Sequence, residues 1–205
     1  KLKNFDIVLF AGSLGKFFRN SSKNFKKKPY LKILNTDNTK INNLLKGLKY
    51  YKKIGISWKS FQKNYGDAKS ISLDTFKPLI EKDNLYFINL QYGDVEKELS
   101  NFMTNYSLSI KTFKEVDLFQ DITSIAALLK NLDLFITVSN STAHLAGALG
   151  VNTLLIKPKN HATFHYWNQP GSTTPWYKNI TIIDQNNEKF LIKTLNYYIN
   201  KIKII

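Results

Sequence analysis

Hydrophobic and polar positions form a regular alternation of short blocks from about residue 54 to the end of the chain. Continuous apolar runs of strand length predict strands at residues 54–57, 85–90, 108–113, 134–138, 153–156 and 180–183. Segments with apolar residues at helical spacing predict helices at residues 73–80, 95–105, 122–131, 143–149 and 187–203. Asp121 precedes the third of these segments and is a predicted N-cap.

Strands that alternate with helices predict a largely parallel sheet covered on both faces. We therefore expect a Rossmann-like, doubly wound α/β domain with about six strands, over residues 51–205. Residues 1–50 do not follow the alternation and are predicted to be an N-terminal appendage with one helix at residues 38–48. Residues 160–178 form a long, aromatic, loop-like stretch, and loops of this length in a compact domain are usually functional.

Ligands of doubly wound sheets bind at the carboxyl ends of the strands, and three polar turns follow predicted strands in this chain. They lie at residues 58–67, 91–94 and 139–142. The third turn leads into a helix of small residues that ends at Gly150, and the first turn of a helix has unpaired N–H donors and a partial positive charge. The segment from 132 to 150 therefore predicts an anion site, with His144 inside the first helical turn.

The candidate residues come from these turns. Lys69 precedes the first long predicted helix, at the mouth of the predicted cleft, where its ammonium would balance a diphosphate leaving group. The candidate donor-binding residues are Ser57, Trp58, Gln91, Tyr92, Gly93, Asp94, Ser139, Asn140, Ser141, Thr142, Ala143 and His144. These residues also have structural interpretations. Gly93 would allow a tight turn, and Asp94 or the Ser and Thr residues would cap helices. His144 would pack on the sheet, and Lys69 would be one more lysine in a lysine-rich chain.

Composition narrows the function classes. The 205 residues include no cysteine, which excludes thiolate metal sites and cysteine nucleophiles, and with three histidines we expect no metal site. The net charge of +15 is compatible with a protein that binds nucleic acid. However, the 30 basic residues include a single arginine, and the chain is rich in lysine, asparagine and isoleucine. Such a composition is typical of an A/T-rich genome and disfavours that interpretation. The one dense basic run, at residues 23–28, favours a solvated face over a patch for acidic partners or a membrane surface. No apolar run reaches the length of a membrane span.

Several motifs, taken in order, resemble a known family. They are GSL at 12–14, FFR at 17–19, PYL at 29–31, GISWKS at 55–60, KSISL at 69–73, LQYGD at 90–94, DITSIAALL at 121–129, SNSTAHLAGALG at 139–150 and PWYKNI at 175–180. The set resembles the carboxyl-terminal half of bacterial tetratricopeptide-repeat proteins with a glycosyltransferase-like domain. These are related to the ADP-heptose lipopolysaccharide heptosyltransferases and, more distantly, to the O-GlcNAc transferase.

The resemblance implies a GT-B architecture, of which this chain would be the second half plus the end of the first. It implies that Lys69 approaches the donor phosphates, that the turn from Asn140 to His144 cradles the diphosphate, and that residues 91–94 lie near the nucleoside. The expected activity is metal-independent transfer of a sugar from a nucleoside-diphosphate sugar to a glycan or protein acceptor, in the cytoplasm and without a cofactor. The family's catalytic base lies on the first half, so no residue of this chain is assigned that role.

Many members of the family have aspartate where this chain has Ser139, and that carboxylate is thought to touch the sugar or ribose. Serine carries no charge, so a catalytically degenerate module that binds a nucleotide sugar or scaffolds partners is the main alternative. A GT-B sugar-nucleotide epimerase and a basic nucleic-acid binder are weaker alternatives, the first because its usual carboxylates are not evident.

Overall fold

The computed structural model describes residues 4–48, 51–158, 165–185 and 188–202. Its five strands are β1 (Lys52–Ser57), β2 (Leu85–Asn89), β3 (Leu134–Val138), β4 (Thr153–Lys157) and β5 (Ile180–Asp184). Its α-helices are α1 (Leu14–Phe18), α2 (Asn35–Leu44), α3 (Gly66–Lys69), α4 (Lys77–Ile80), α5 (Glu96–Tyr106), α6 (Ile122–Lys130), α7 (Ser141–Leu149) and α8 (Glu188–Lys201). Short 3-10 turns occupy Ala11–Ser13, Ser22–Asn24, Lys46–Leu48 and Leu73–Phe76.

The strands form one sheet in the order β2-β1-β3-β4-β5, and every pair in it is parallel. This confirms the predicted doubly wound α/β fold. The chain first moves from β1 to one side and then returns to add β3 on the other, so the order reverses between β1 and β3. Ligands of such sheets bind at the carboxyl edge at this reversal.

The predicted strand at residues 108–113 is wrong as a full strand. Only Lys111 pairs with the sheet, in a single parallel bridge to Ile88 on the outer edge of β2. The chain leaves that edge at Phe113, whose carbonyl accepts a hydrogen bond from the Val116 N–H in a turn. Both side chains are buried by this turn, so the apolar run serves the core without extending the ladder.

The helices cover both faces of the sheet. On one face α4, α5 and α8 pack over Ile54, Ile56, Ile136 and other strand residues. On the opposite face α2, α6 and α7 pack over the alternate strand residues, which include Ile88 and Phe135. Strands that are buried on both faces read as continuous apolar runs, which is why the pattern could be recognised in the sequence.

Part of the predicted appendage shares a core with the sheet domain. Helix α2 begins three residues before its predicted start and packs on α6, with Ile41 fully buried between them. Farther toward the N-terminus the chain is exposed, and Phe5, Ile7 and Phe10 each keep more than two thirds of their surface in solvent. The domain boundary at residue 50 stays a prediction. In the described ranges, no helix is long and apolar enough to cross a membrane.

Candidate functional site

Three side chains at the carboxyl edge of the sheet form one buried hydrogen-bonded relay. Gln91 Oε1 accepts hydrogen bonds from Ser57 Oγ at 3.1 Å, from the Trp58 N–H at 2.8 Å and from the Lys59 N–H at 2.6 Å. Ser57 Oγ in turn accepts from Asn140 Nδ2 at 2.9 Å. The structure therefore joins the turns after β1, β2 and β3, which the sequence had predicted to converge at this edge.

Asn140 also begins helix α7. Its Oδ1 accepts a hydrogen bond from the Ala143 N–H at 3.1 Å, which makes it the N-cap. The helix consequently starts at Ser141, two residues before its predicted start, because asparagine rather than serine or threonine caps it. The N–H groups of Ser141 and Thr142 have no carbonyl acceptor within the helix, so they remain as donors beside a buried polar relay.

His144, one turn into α7, stands in an aromatic cluster and not on the sheet. Its ring stacks on Trp167 with centroids 4.7 Å apart, and its Nδ1 lies 3.1 Å from the Tyr177 hydroxyl. Burial, together with the charges of His165 and Lys69, lowers the pKa of His144 to about 4. The imidazole is therefore neutral at pH 7.

Glycine at position 147 makes room for this cluster. A Cβ there would lie 2.5 Å from the ring of Tyr177, so only glycine lets that ring pack directly on α7. Burial raises the pKa of the Tyr177 hydroxyl, and a hydrogen bond with Tyr30 raises it further. Tyr177 thus stays protonated beside the histidine.

Ser139, the position that departs from the family pattern, has a partner within the protein. Its hydroxyl is buried and accepts a hydrogen bond from Trp167 Nε1 at 3.1 Å. The serine thereby fixes the indole on which His144 stacks. The resemblance implies that this position touches the sugar or ribose; that contact stays a prediction, beside the hydrogen bond that the Ser139 hydroxyl accepts from Trp167.

Lys69 is buried, with only 3% of its surface exposed, at the end of the four-residue helix α3. A position at the mouth of a cleft predicts a lysine that packs little, and this prediction is wrong. Burial lowers its pKa from the ordinary lysine value. Its charge is also one cause, after burial and the charge of His165, of the lowered pKa of His144.

The turn after β2 is built on Gly93, whose φ of +87° strongly favours glycine. The ring of Phe61 lies directly over it, where any Cβ would clash at 2.5 Å. Asp94 does not cap the next helix, because α5 starts at Glu96 behind Val95 without a side-chain cap. Beside this turn a cavity of about 550 Å³ is lined by Gln91, Tyr92 and other residues, among them Phe113, Lys114, Asp117 and Phe119.

Trp58 is the candidate that the structure sets apart from this surface. Its side chain is fully buried in the core under α4 and α5, and its indole N–H has no hydrogen-bond partner in the described part of the chain. Its backbone N–H still takes part in the relay through Gln91.

Sequence reasoning missed Trp167 and Tyr177 as individual residues. Both lie within the long aromatic stretch at residues 160–178, whose length is the signal that could have found them. Residues 159–164 of that predicted loop lie outside the described residues. No other pattern in the sequence indicates which aromatic side chain of this loop packs on α7.

Two solved structures share this architecture. The glycosyl transferase family 9 protein from Veillonella parvula matches with a TM-score of 0.59 and 10% identity, over 86% of this chain and 49% of that chain. The E. coli ADP-heptose LPS heptosyltransferase II matches with a TM-score of 0.58 and 13% identity, over 90% of this chain and 58% of that chain. This chain has a glycosyltransferase-like fold. It spans about half the length of each of these two proteins.

Among curated proteins, Protein FlbA of Caulobacter vibrioides is 32% identical over 130 residues, which is 62% of this chain and 21% of FlbA. The matched part of the chain therefore covers about a fifth of that relative. No family model matches the sequence.

Proposed function

We propose that this chain binds the nucleoside-diphosphate sugar of a glycosyltransferase and supplies the groups that stabilise the departing diphosphate. The observation that carries the proposal is the relay of Gln91, Ser57 and Asn140 at the reversal of the strand order. It holds the N-terminus of α7 in place before any ligand arrives. A pre-positioned set of donors loses little free energy to reorganisation when charge develops on the leaving group.

The diphosphate would lie at the start of α7. The N–H groups of Ser141 and Thr142 and the helix dipole would contact its oxygens, and the Lys69 ammonium would add a full positive charge from the neighbouring turn. The acceptor oxygen would form the new bond to the anomeric carbon. The bond from that carbon to the diphosphate oxygen would break with its electron pair, and the hydroxyl proton would pass to a base outside this set of residues.

The nucleoside would lie in the cavity beside Gly93. Tyr92 and Phe119 have ring centroids 6.4 Å apart there, and flat rings of this kind suit a planar base. Peptide and side-chain polar groups around Asp117 would contact the base edge or the ribose. The relation to tetratricopeptide-repeat transferases, the cytoplasmic location and the glycan or protein acceptor are parts of the same proposal.

A degenerate binding module is the second candidate, and the position of Ser139 favours it. Serine has a hydroxyl where many members of the family have a carboxylate, and this hydroxyl accepts a hydrogen bond from Trp167 Nε1. A chain of this kind would hold a nucleotide sugar without turning it over.

A panel of UDP, ADP and GDP, with their common sugar derivatives, tests both candidates. Calorimetry measures binding, and a second assay measures release of the free nucleoside diphosphate from each sugar nucleotide. Binding followed by release in the presence of acceptor glycans supports the transferase. Binding without release under any condition supports the degenerate module. If none of the nucleotides binds to the folded protein, both candidates are wrong.

A further inference from the structure

A second cavity, of about 740 Å³, is lined in part by His144 of α7. One wall comes from the N-terminal segment and the other from α7 and the aromatic loop. It is lined by Phe18, Arg19, Asn24, Phe25, Lys26, Lys27, Lys28, Pro29, Tyr30, His144, Tyr166, Trp176 and Tyr177. The basic run that the sequence left as a solvated face therefore forms part of a cavity wall.

One end of this basic wall is held by aromatic contacts. Phe25 packs edge-on against Trp176 with centroids 4.8 Å apart, and the guanidinium of Arg19 lies 4.7 Å from the centroid of the Trp176 ring. Arg19 is the only arginine among the 30 basic residues of the chain. Arginine differs from lysine in offering a planar fork that stacks on a ring and still donates in two parallel bonds to a carboxylate.

The other end of the wall is held on helix α7. Pro29 lies over Gly150, where a Cβ would come within 2.4 Å of its ring. The N–H of Tyr30 donates to the carbonyl of Ala148 at 2.9 Å. The three lysines at 26–28 lie between these two fixed points and line the cavity.

The charge of the lining is one-sided. It contains Arg19 and three lysines, and none of its thirteen residues is an aspartate or glutamate. His144 is neutral at pH 7 because burial lowers its pKa, so it adds no further positive charge. A cavity with four cations and no acid favours an anionic ligand.

The opposite wall is a shelf of aromatic rings. Tyr166 packs edge-on against His144 at 4.8 Å and against Trp176 at 4.9 Å. The apolar faces of pyranose rings pack well on such side chains, whereas a small inorganic anion would leave the shelf uncovered. The combination of a ring shelf and a cationic wall fits a sugar that carries an acid group.

We propose that this cavity binds the acceptor, and that the acceptor is an acidic saccharide whose carboxylate lies on Arg19 and the lysines at 26–28 while its ring lies on Tyr166 and Trp176. This rests on the proposed function, because His144 lines this cavity and belongs to the first turn of α7, where the diphosphate is proposed to lie. Donor and acceptor would therefore meet at His144. The donor's phosphates would stay on α7 and Lys69.

The test compares methyl β-glucuronide with methyl β-glucoside, which differ at C6 by a carboxylate in place of a hydroxymethyl group. Binding is measured by NMR titration, with the indole N–H signal of Trp176 as the reporter and that of the core residue Trp58 as the internal control. The variant is Lys26→Gln/Lys28→Gln, which leaves Lys27 with its φ of +52° untouched. The matched control, Lys189→Gln/Lys193→Gln, removes the same charge from exposed positions on α8.

We expect the glucuronide to bind about tenfold more tightly than the glucoside, as for one or two charge-assisted hydrogen bonds. The wall variant should lose most of that preference and the α8 control should keep it. Equal binding of the two glycosides, or equal losses in both variants, would overturn the proposal. So would an aspartate-rich peptide that shifts the Trp176 signal at lower concentration than the glucuronide, because the site would then suit an acidic protein segment.

A second arm separates this proposal from the function on which it rests. The glucuronide titration is repeated with saturating nucleoside diphosphate. Simultaneous binding supports an acceptor cavity, whereas competition would show that the cavity takes the donor's phosphates and would overturn it. If no nucleoside diphosphate binds while the glucuronide preference remains, the acidic-saccharide site stands and the donor-binding proposal fails.

Discussion

Asn140 donates a hydrogen bond from Nδ2 to Ser57 Oγ at 2.9 Å, and its Oδ1 accepts from the first turn of α7 at 3.1 Å. One side chain therefore both caps the helix and ties it to the last residue of β1, 83 positions earlier in the chain. The donor groups proposed to hold a diphosphate are fixed relative to the sheet through this amide.

Replacing Asn140 separates the two roles. Asn140→Ala removes the cap and the bond to Ser57, and should lower the free energy of unfolding by about 1–3 kcal/mol. Asn140→Asp keeps an oxygen for the cap but places a negative charge where the phosphates would lie. We expect Asn140→Asp to be the more stable variant and the weaker nucleotide binder. Urea unfolding and calorimetry measure the two properties, and an Asp variant that binds like wild type would place the diphosphate elsewhere.

Lys69 is best tested with methionine, because its side chain is buried and alanine would leave a cavity. Lys69→Met should weaken binding of a nucleoside diphosphate by about 1.5–3 kcal/mol, the range for a hydrogen bond to a charged group. Exposed Lys189→Met on α8 is the matched control and should bind like wild type. Affinity unchanged in folded Lys69→Met would make the lysine a bystander to binding.

Ser139 should matter for the packing of Trp167. Ser139→Ala leaves the buried indole N–H without its acceptor and should cost about 1–3 kcal/mol of unfolding free energy. In a Trp167→Phe background the same change should cost much less, because no N–H is left unpaired, and the double-mutant cycle measures the difference. Nucleoside-diphosphate affinity should stay within about tenfold in Ser139→Ala, since the donors are backbone N–H groups.

Aspartate, which many members of the family that the sequence resembles have at this position, gives a further comparison. Ser139→Asp would place a carboxylate in a site that is 3% exposed, so its stability should fall below that of Ser139→Ala unless the charge reaches the ligand. A donor panel that changes in Ser139→Asp would show that position 139 contacts the sugar. An unchanged panel agrees with a hydroxyl that serves only Trp167.

The neutral state of His144 predicts a pH dependence of stability. An unfolded histidine takes up a proton near pH 6.5, whereas His144 in the fold does so only near pH 4. The unfolded state therefore binds more protons between these values, and stability should fall as the pH is lowered through them. The difference between pKa values of 6.5 and about 4 corresponds to roughly 3 kcal/mol of stability.

Carboxylates titrate in the same range, so the measurement is the difference between wild type and His144→Gln, which has no imidazole to protonate. Thermal or urea unfolding between pH 7 and pH 4 should show the wild type losing stability relative to the variant. If the stability of the two proteins changes with pH in the same way, His144 has the same pKa in the folded and the unfolded state, and the prediction is wrong.

Much of the fold was predictable because buried parallel strands and amphipathic helices leave a strong periodic signal. The strands β1 to β5 and the Asp121 cap of α6, which accepts from the Ser124 N–H at 3.0 Å, were all predicted from the sequence. The segment around Lys111 was wrongly predicted as a strand, because a loop that covers the core also has a run of apolar residues. The start of α7 shifted by two residues because the Asn140 side chain caps the helix, and the start of α2 shifted by three residues without any side-chain cap.

The sequence by itself determined the strand–helix alternation and placed three polar turns at one edge of a parallel sheet. It did so because side-chain burial repeats with the period of each element. Only the tertiary structure decided which atoms meet: Gln91 with Ser57, Ser139 with Trp167, and the lysines at 26–28 with a ring shelf. The members of each pair lie far apart along the chain. Gln91 meets Ser57 because β2 and β1 are neighbours in the sheet, and Ser139 meets Trp167 because the aromatic loop packs on α7. A periodic pattern carries no record of such contacts, since each depends on where separate elements are placed in space.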